Sequence, residues 1–430
     1  MYKTLRVLVC AALLCLGNAV MAQNIGNTPY SRYGLGEQNL NLGSIRAAGM
    51  AGIGVSAANG LLANTTNPAL LAYNGSTVFD FGIAGEYKTL SNSSRSQRDG
   101  NANLYTLALS VPVTKRWSSA VNLRPFTSVS YQINEIGTLE SNPEALVARR
   151  YTGEGGLSEV FWGHGVRITK GLTVGVSASY LFGTNINTSS AQVEDTSLVG
   201  FNNERVVFNE STMYRGFLFR AGASYRQKLK DNLFLNLGAV YSHDANINAR
   251  RDTSYSRITN TDAIVDDNIL PGRMEGKVTV PGSLQAGISI DNGSNLTLAT
   301  ELYMQQWSEF QNLEGERELA NSYRASIGGE YTPDVNAINS YLKRITYRGG
   351  VYYGKTPYAL NNEHLTDKGV TVGFTMPIGL ASVYEMFQLN GAFGYGKRGT
   401  TDNGLIAENY FRFSMGVTIN SRWFIKRRLE

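Results

Sequence analysis

The stretch Thr77-Val78-Phe79-Asp80-Phe81-Gly82-Ile83-Ala84-Gly85-Glu86-Tyr87 sets Phe79, Phe81, Ile83 and Tyr87 on one face of an extended chain and Asp80, Gly82, Ala84 and Glu86 on the other. An apolar face opposite a small or polar one is what a strand between lipid and a wet lumen requires. The split recurs at Tyr105 to Val111, at Leu172 to Tyr180 and at Phe217 to Tyr225. It appears again near the end, where Phe411, Phe413, Met415, Val417 and Ile419 oppose Arg412, Ser414, Gly416 and Thr418. One instance says little, because soluble sandwiches alternate too; recurrence along the whole chain is the signal.

Working outward from these segments, the period-two pattern predicts about fourteen strands. They fall near 77–88, 101–114, 117–131, 157–169, 171–185, 211–228, 231–245, 273–290, 295–312, 320–333, 343–356, 367–378, 384–398 and 406–420. The connections sort by parity. Those after even strands are mostly tight, as at Thr114-Lys115-Arg116 and Asp291-Asn292-Gly293-Ser294. Those after odd strands include three long ones, 132–156, 186–210 and 246–272, rich in Asn, Ser, Thr and charge. The expected fold is therefore all-β: a 14-stranded antiparallel transmembrane barrel in the outer membrane, with long loops extracellular and the C-terminus periplasmic.

Residues 23–76 do not alternate. They are rich in glycine and small residues, and they carry Leu35, Met50, Ile53, Val55, Leu61, Leu62, Leu70 and Leu71. Leaving these apolar side chains in water is costly, which favours an N-terminal plug inside the lumen over a free tail. The division expected is a signal peptide over 1–22, a plug or hatch over 23–76, and a barrel with a basic C-terminal tail over 77–430.

The signal reading rests on Lys3 and Arg6, an apolar core from Val7 to Leu16, and Val20-Met21-Ala22 as the cleavage end. A lipoprotein at Cys10 or Cys15 is the weaker alternative, since neither has the small residue before it that such processing needs. Both cysteines of the chain lie in this segment, which excludes disulfides, thiolate metal sites and cysteine catalysis beyond it. No later run of about 18 apolar residues exists, so a membrane form has to be a closed barrel. Composition agrees: 46 glycines, 24 tyrosines against 17 phenylalanines, 10 prolines and 17% charged residues. A net charge of +5 on 430 residues, scattered except at the C-terminus, gives no support to nucleic-acid binding.

The segments Ser31-Arg32-Tyr33-Gly34-Leu35-Gly36, Arg46-Ala47-Ala48-Gly49-Met50-Ala51-Gly52 and Asn67-Pro68-Ala69 resemble the N-terminal hatch of the FadL family of outer-membrane transporters. Val280-Pro281-Gly282-Ser283-Leu284 followed by Trp307-Ser308-Glu309-Phe310 is a second match. The series from Tyr323-Arg324 through Gly328-Gly329-Glu330-Tyr331 to Arg348-Gly349-Gly350 and Thr356-Pro357 is a third. The ordered set spans most of the chain. Two departures mark a divergent branch: Leu365-Thr366-Asp367-Lys368 stands where a Pro-Asp element is expected, and the chain ends on a basic tail, Lys426-Arg427-Arg428-Leu429-Glu430.

What the resemblance implies is a plugged barrel passing hydrophobic small molecules, long-chain fatty acids being the type substrate, with no enzyme activity and no cofactor. The plug residues singled out are Gly34, Gly36, Arg46, Gly49, Gly52, Asn67, Pro68 and Ala69. Strand parity directs Asp80, Glu86, Glu301 and the arginines Arg124, Arg220, Arg324, Arg348 and Arg412 to the lumen. There the arginines meet either a ligand carboxylate or protein carboxylates and the plug backbone. Pro125 is the candidate wall kink, because proline removes a ladder hydrogen bond, and either a lateral gap or a harmless bulge follows. His164, His243 and His364 lack metal-ligand spacing, and no metal is expected. The alternative function is a barrel that has lost transport and serves as a structural subunit of a larger outer-membrane assembly or secretion complex. The partners expected are a hydrophobic ligand, membrane lipid and, on that alternative, other outer-membrane proteins.

Overall fold

The computed structural model describes residues 27–40, 43–139, 142–194, 204–259, 263–269, 273–317, 319–360, 363–382 and 385–421. The expected signal peptide and basic tail lie outside the described residues. The strands are β1 (Glu37–Gln38), β2 (Thr77–Ser91), β3 (Ser96–Pro112), β4 (Trp117–Pro125), β5 (Thr127–Leu139), β6 (Asn142–Arg167), β7 (Leu172–Glu194), β8 (Arg205–Lys230), β9 (Leu233–Ser242) and β10 (Ala245–Ile258). They continue with β11 (Ile264–Ile269), β12 (Met274–Val280), β13 (Ser283–Asp291), β14 (Leu296–Gln305), β15 (Ser322–Tyr331), β16 (Thr346–Leu360), β17 (Glu363–Ser382), β18 (Glu385–Arg398) and β19 (Ala407–Ser421).

All pairings are antiparallel, and the sheet closes where β19 pairs with β2 from Ala407 opposite Ser91 to Ser421 opposite Thr77. Three staves are broken in the middle: β4 with β5, β9 with β10, and β12 with β13. Counted so, with β1 and the outlying arm β11 set aside, the wall is a closed barrel of fourteen staves. Closure matters because a free edge in lipid leaves backbone groups with no water to bond.

The alternation of the opening segment survives in three dimensions. Phe79, Phe81 and Tyr87 are exposed on the outside, whereas Asp80 is buried inside. Outward Trp162, Val176, Phe217, Phe219, Val372 and Tyr395 continue the apolar band.

The long loops are a correction. Most of 132–156, 186–210 and 246–272 is strand: β5, β6, β7, β8 and β10 run on through them, paired without interruption from Asn185 opposite Thr212 to Gln192 opposite Arg205. A tilted strand needs about 9–11 residues to cross a membrane. β6 and β8 each have 26, so their far ends project well beyond it. With water on both faces, no apolar side is required there, and the period-two signal that reveals the other strands vanishes.

The core is inside the barrel. Tyr30 and Leu35 from the N-terminal segment pack with Phe126, Leu157, Leu181, Leu218, Ile247, Val280, Trp307 and Phe310 from the wall. A second cluster joins Met50, Ile53 and Ala57 to Ala299.

Candidate functional site

Asn67-Pro68-Ala69 sits on a floor made of glycine. Gly165, Gly175 and Gly222 face one another on β6, β7 and β8 and form one rung of the wall. A Cβ at Gly165 would stand 2.5 Å from the Pro68 carbonyl oxygen, and one at Gly175 or Gly222 would strike Pro68, Ala69 or Asn67. The absence of side chains on this rung is what admits the segment. Asn67 then fixes it: its Oδ1 accepts from Ala69 N at 3.0 Å, capping the short 3-10 helix Pro68–Tyr73. Its Nδ2 donates to Val55 O at 2.8 Å and to Ala223 O at 3.2 Å. Pro68 at the first helical position loses no bond, since that N–H would be unpaired in any case.

The rest of the N-terminal segment is tied across the lumen. The Glu301 carboxylate accepts from Gly54 N at 3.0 Å and Val55 N at 2.9 Å. Arg46, in the short helix Ile45–Gly49, makes a two-pronged contact with Glu330 at 2.6 and 2.9 Å, and Glu330 also accepts from Arg348 at 3.0 Å. Gly49 lies against Gly373, where a Cβ would meet the Gly373 Cα at 3.1 Å. Gly34, Gly36 and Gly52 have φ of 63°, 101° and 89°, a backbone conformation open to glycine and unfavourable to L side chains.

Of the five arginines that strand parity directs to the lumen, four bind protein carboxylates. Arg124 and Arg220 share Glu159 at 2.9 and 2.5 Å, and Glu159 is fully buried. Arg348 holds Glu330; Arg412 holds Glu86 and, at 3.3 Å, Glu37 of the N-terminal segment. Glu37 is gripped more closely by Arg398 at 2.6 Å. Arg324 differs: its guanidinium stacks on the Tyr352 ring at 3.8 Å, with one long bond of 3.4 Å to Ala51 O. Sequence reading missed Glu37, Glu159 and Arg398. Glu159 was accessible to it, since Leu157, Glu159 and Phe161 share a parity; Glu37 was not, because its segment does not alternate.

Pro125 ends β4, Phe126 interrupts the stave and β5 resumes at Thr127. Below the break β4 pairs with β3 up to Leu123 opposite Leu107. Above it β5 leaves β3 and stays on β6, so Ser96 to Leu104 of β3 pair with β2 on one side and with no strand on the other, among the described residues. The edge freed on β5 is taken by the N-terminal segment. Gln38 and Glu37 pair with Thr127 and Ser128, Asn39 N donates to Phe126 O at 3.1 Å, and Thr28 N donates to Ser130 O at 2.6 Å. A cavity of about 160 Å³ lies behind this break. Asn101, Asn103, Pro125, Thr127 and Ser128 line it at the break, with Arg324, Asp367, Arg398 and Arg412 from β15, β17, β18 and β19.

Known proteins fit this architecture. The toluene transporter TodX of Pseudomonas putida has a TM-score of 0.55 at 16% identity, over 93% of this chain and 100% of its own. The toluene transporter TbuX of Ralstonia pickettii has a TM-score of 0.59 at 14% identity, over 89% and 100%. A FadL homologue of Pseudomonas aeruginosa has a TM-score of 0.59 at 12% identity, over 88% and 98%. Identities this low speak to the fold. No curated protein matches the sequence. A family model described as BamG matches residues 1–430. The chain belongs to the BamG family, and its fold is that of the FadL-type barrels.

Proposed function

We propose that this barrel passes hydrophobic small molecules passively through the outer membrane, admitting them past its N-terminal plug and releasing them sideways between β3 and β5. The observation that carries the reading is the stave broken at Pro125, which leaves the β5-facing edge of Ser96 to Leu104 without a strand partner among the described residues, beside a cavity that reaches both sides of the break. Continuous pairing would seal the wall. The names of the similar structures, toluene transporters among them, support the same class of cargo. Long-chain fatty acids are the finer candidate. Arg124, Arg220, Arg348 and Arg412 are already bound to carboxylates, so of these five Arg324 is the one left for a ligand's anionic end. In this reading the projecting ends of β5 to β8 stand outside the cell and the short turns face the periplasm.

The test is uptake in liposomes. Radiolabelled toluene and oleate should enter vesicles carrying the barrel faster than protein-free vesicles, and a disulfide placed across the β3/β5 break should abolish the difference. Equal entry into both sets of vesicles would remove the transport reading.

A second reading, a structural subunit of a larger outer-membrane assembly, is favoured by one observation: most of the lumen arginines are matched to carboxylates within the chain itself, from Arg124–Glu159–Arg220 to Arg46–Glu330–Arg348. A barrel so tied suits a fixed scaffold, and membership of the BamG family fits that role. Gentle detergent extraction from native membranes distinguishes the two. A particle far heavier than the 47.0 kDa chain and its detergent belt supports the subunit; a single-chain particle supports the autonomous channel.

A further inference from the structure

Arg324, Gly354, Asp367 and Arg398 lie opposite one another on β15, β16, β17 and β18 and make one rung of the lumen wall. At a strand spacing of about 4.8 Å, the Arg324 and Asp367 Cα atoms stand roughly 10 Å apart, and Gly354 between them contributes no side chain. Both charged residues are 7% exposed. Arg398, the neighbour of Asp367 on the rung, is engaged by Glu37 and Glu408. Neither Arg324 nor Asp367 has an ion-pair partner among the described residues. Two buried charges left in this state cost several kcal/mol unless something complements them.

Two tyrosines frame the space between them. The Arg324 guanidinium stacks on Tyr352, the Tyr352 hydroxyl is 2.7 Å from that of Tyr410, and Tyr410 donates to the Asp367 carboxylate. The strands make room for this: Tyr352 and Tyr410 lie across Gly369 and Gly396, where any Cβ would strike their rings or hydroxyls. Arg324 Nε and Trp307 Nε1 are buried donors with no acceptor among the described residues. Arg324 and Asp367 line both the 160 Å³ cavity and a second one of about 50 Å³, whose other walls include Leu35, Trp307, Leu319 and Tyr358.

We propose that this rung binds a phosphoethanolamine group, its phosphate at Arg324 and its primary ammonium at Asp367. A phosphate brings enough acceptor oxygens for both idle donors, Arg324 Nε and Trp307 Nε1. A primary ammonium brings N–H donors for the Asp367 carboxylate and a charge for the tyrosine faces. A carboxylate alone would satisfy Arg324 but bring no N–H donor to Asp367. The same chemistry occurs in a lipid headgroup and in a water-soluble metabolite. The apolar second cavity, and the opening of the first between β3 and β5, suit the lipid. The site goes beyond transport, because a bound zwitterion could be cargo or a resident lipid.

The test is titration of the full purified chain in detergent, followed by Trp fluorescence and thermal shift. The probes are dihexanoyl-phosphatidylethanolamine, the phosphatidylglycerol and phosphatidylcholine of the same chain length, and free O-phosphoethanolamine. Phosphatidylethanolamine should bind about tenfold or more tightly than phosphatidylglycerol, which lacks the amine, and than phosphatidylcholine, whose ammonium has no N–H. Arg324→Gln and Asp367→Asn should each weaken it by a similar factor, and Asp367→Asn should also erase the preference over phosphatidylglycerol. Free O-phosphoethanolamine binding as well as the lipid supports the site with a soluble source; much weaker binding supports it with a lipid source. Equal affinity for the three lipids, or no saturable binding by any, overturns the proposal on the wild-type chain alone, whatever the variants do. Unchanged binding in folded Arg324→Gln also overturns it.

Discussion

The wall meets the N-terminal segment in opposite ways on its two sides. Across β6, β7 and β8 the ladder is complete and the side chains are withdrawn: three glycines in a rung receive Asn67-Pro68-Ala69. At β4 and β5 the side chains remain and the ladder is withdrawn, so Glu37, Gln38 and Asn39 supply the hydrogen bonds that β3 does not. One side gains closeness, the other gains an opening. On the proposed function, the first side is the fixed anchor and the second the path through the wall.

The largest effect that would sharpen this contrast is at Glu159, the acid that Arg124 and Arg220 share next to the anchor. Glu159→Gln should leave two buried arginines unpaired and destabilise the barrel by about 3–5 kcal/mol, read as a fall in the temperature at which the detergent-solubilised barrel loses its heat-modifiable gel mobility. Next comes Gly175→Val, which drives side-chain atoms into Pro68 and Ala69. The expected cost is about 1–3 kcal/mol, with faster proteolysis of residues 27–76 in the folded barrel; an unchanged cleavage rate would break the idea of an anchor.

On the other side, Pro125→Ala restores a backbone donor at the break. Stability should move by under about 1 kcal/mol, while toluene flux through reconstituted barrels falls severalfold if the break is the exit. Smallest is the pH response of the Glu37 tether. Burial pushes its carboxyl up, but Arg398 and Lys88 outweigh that and hold it below the ordinary value of 4.5. A depressed pKa gives stability that is full above the ordinary value and lost as pH falls through the lowered one. Exchange protection of Thr28 and Asn39 amides should therefore stay flat from pH 8 to 5 and drop only in stronger acid. A drop near neutral pH would mean that Glu37 does not hold the segment.

Much of this was legible in the chain itself. Period-two alternation exposed the wall wherever lipid lies on one face, since burial against hydrocarbon forbids polar residues at every second position. The same parity sent Asp80, Glu301, Arg124 and Arg348 inward, where they lie. It failed for most of 132–156 and for the described parts of 186–210, where β5 to β8 run on in water on both faces and carry no such constraint. It also could not tell ligand from protein partner at the arginines, because the partner of Arg124 is 35 residues away and that of Arg46 is 284 away.

The sequence alone determined that this chain must close into a barrel, because alternation and the lack of any long apolar run leave no other membrane-spanning form. It also marked Asn67-Pro68-Ala69 and Pro125 as places where the backbone does something unusual. Only the tertiary structure decided what each does: that glycines from three strands align into one floor, that β5 exchanges β3 for the N-terminal segment, and that Arg324 and Asp367 share a rung and a cavity. Register and closure bring such residues together, and neither is written in local pattern, since a shift of the strands by two residues keeps every face and changes every partner.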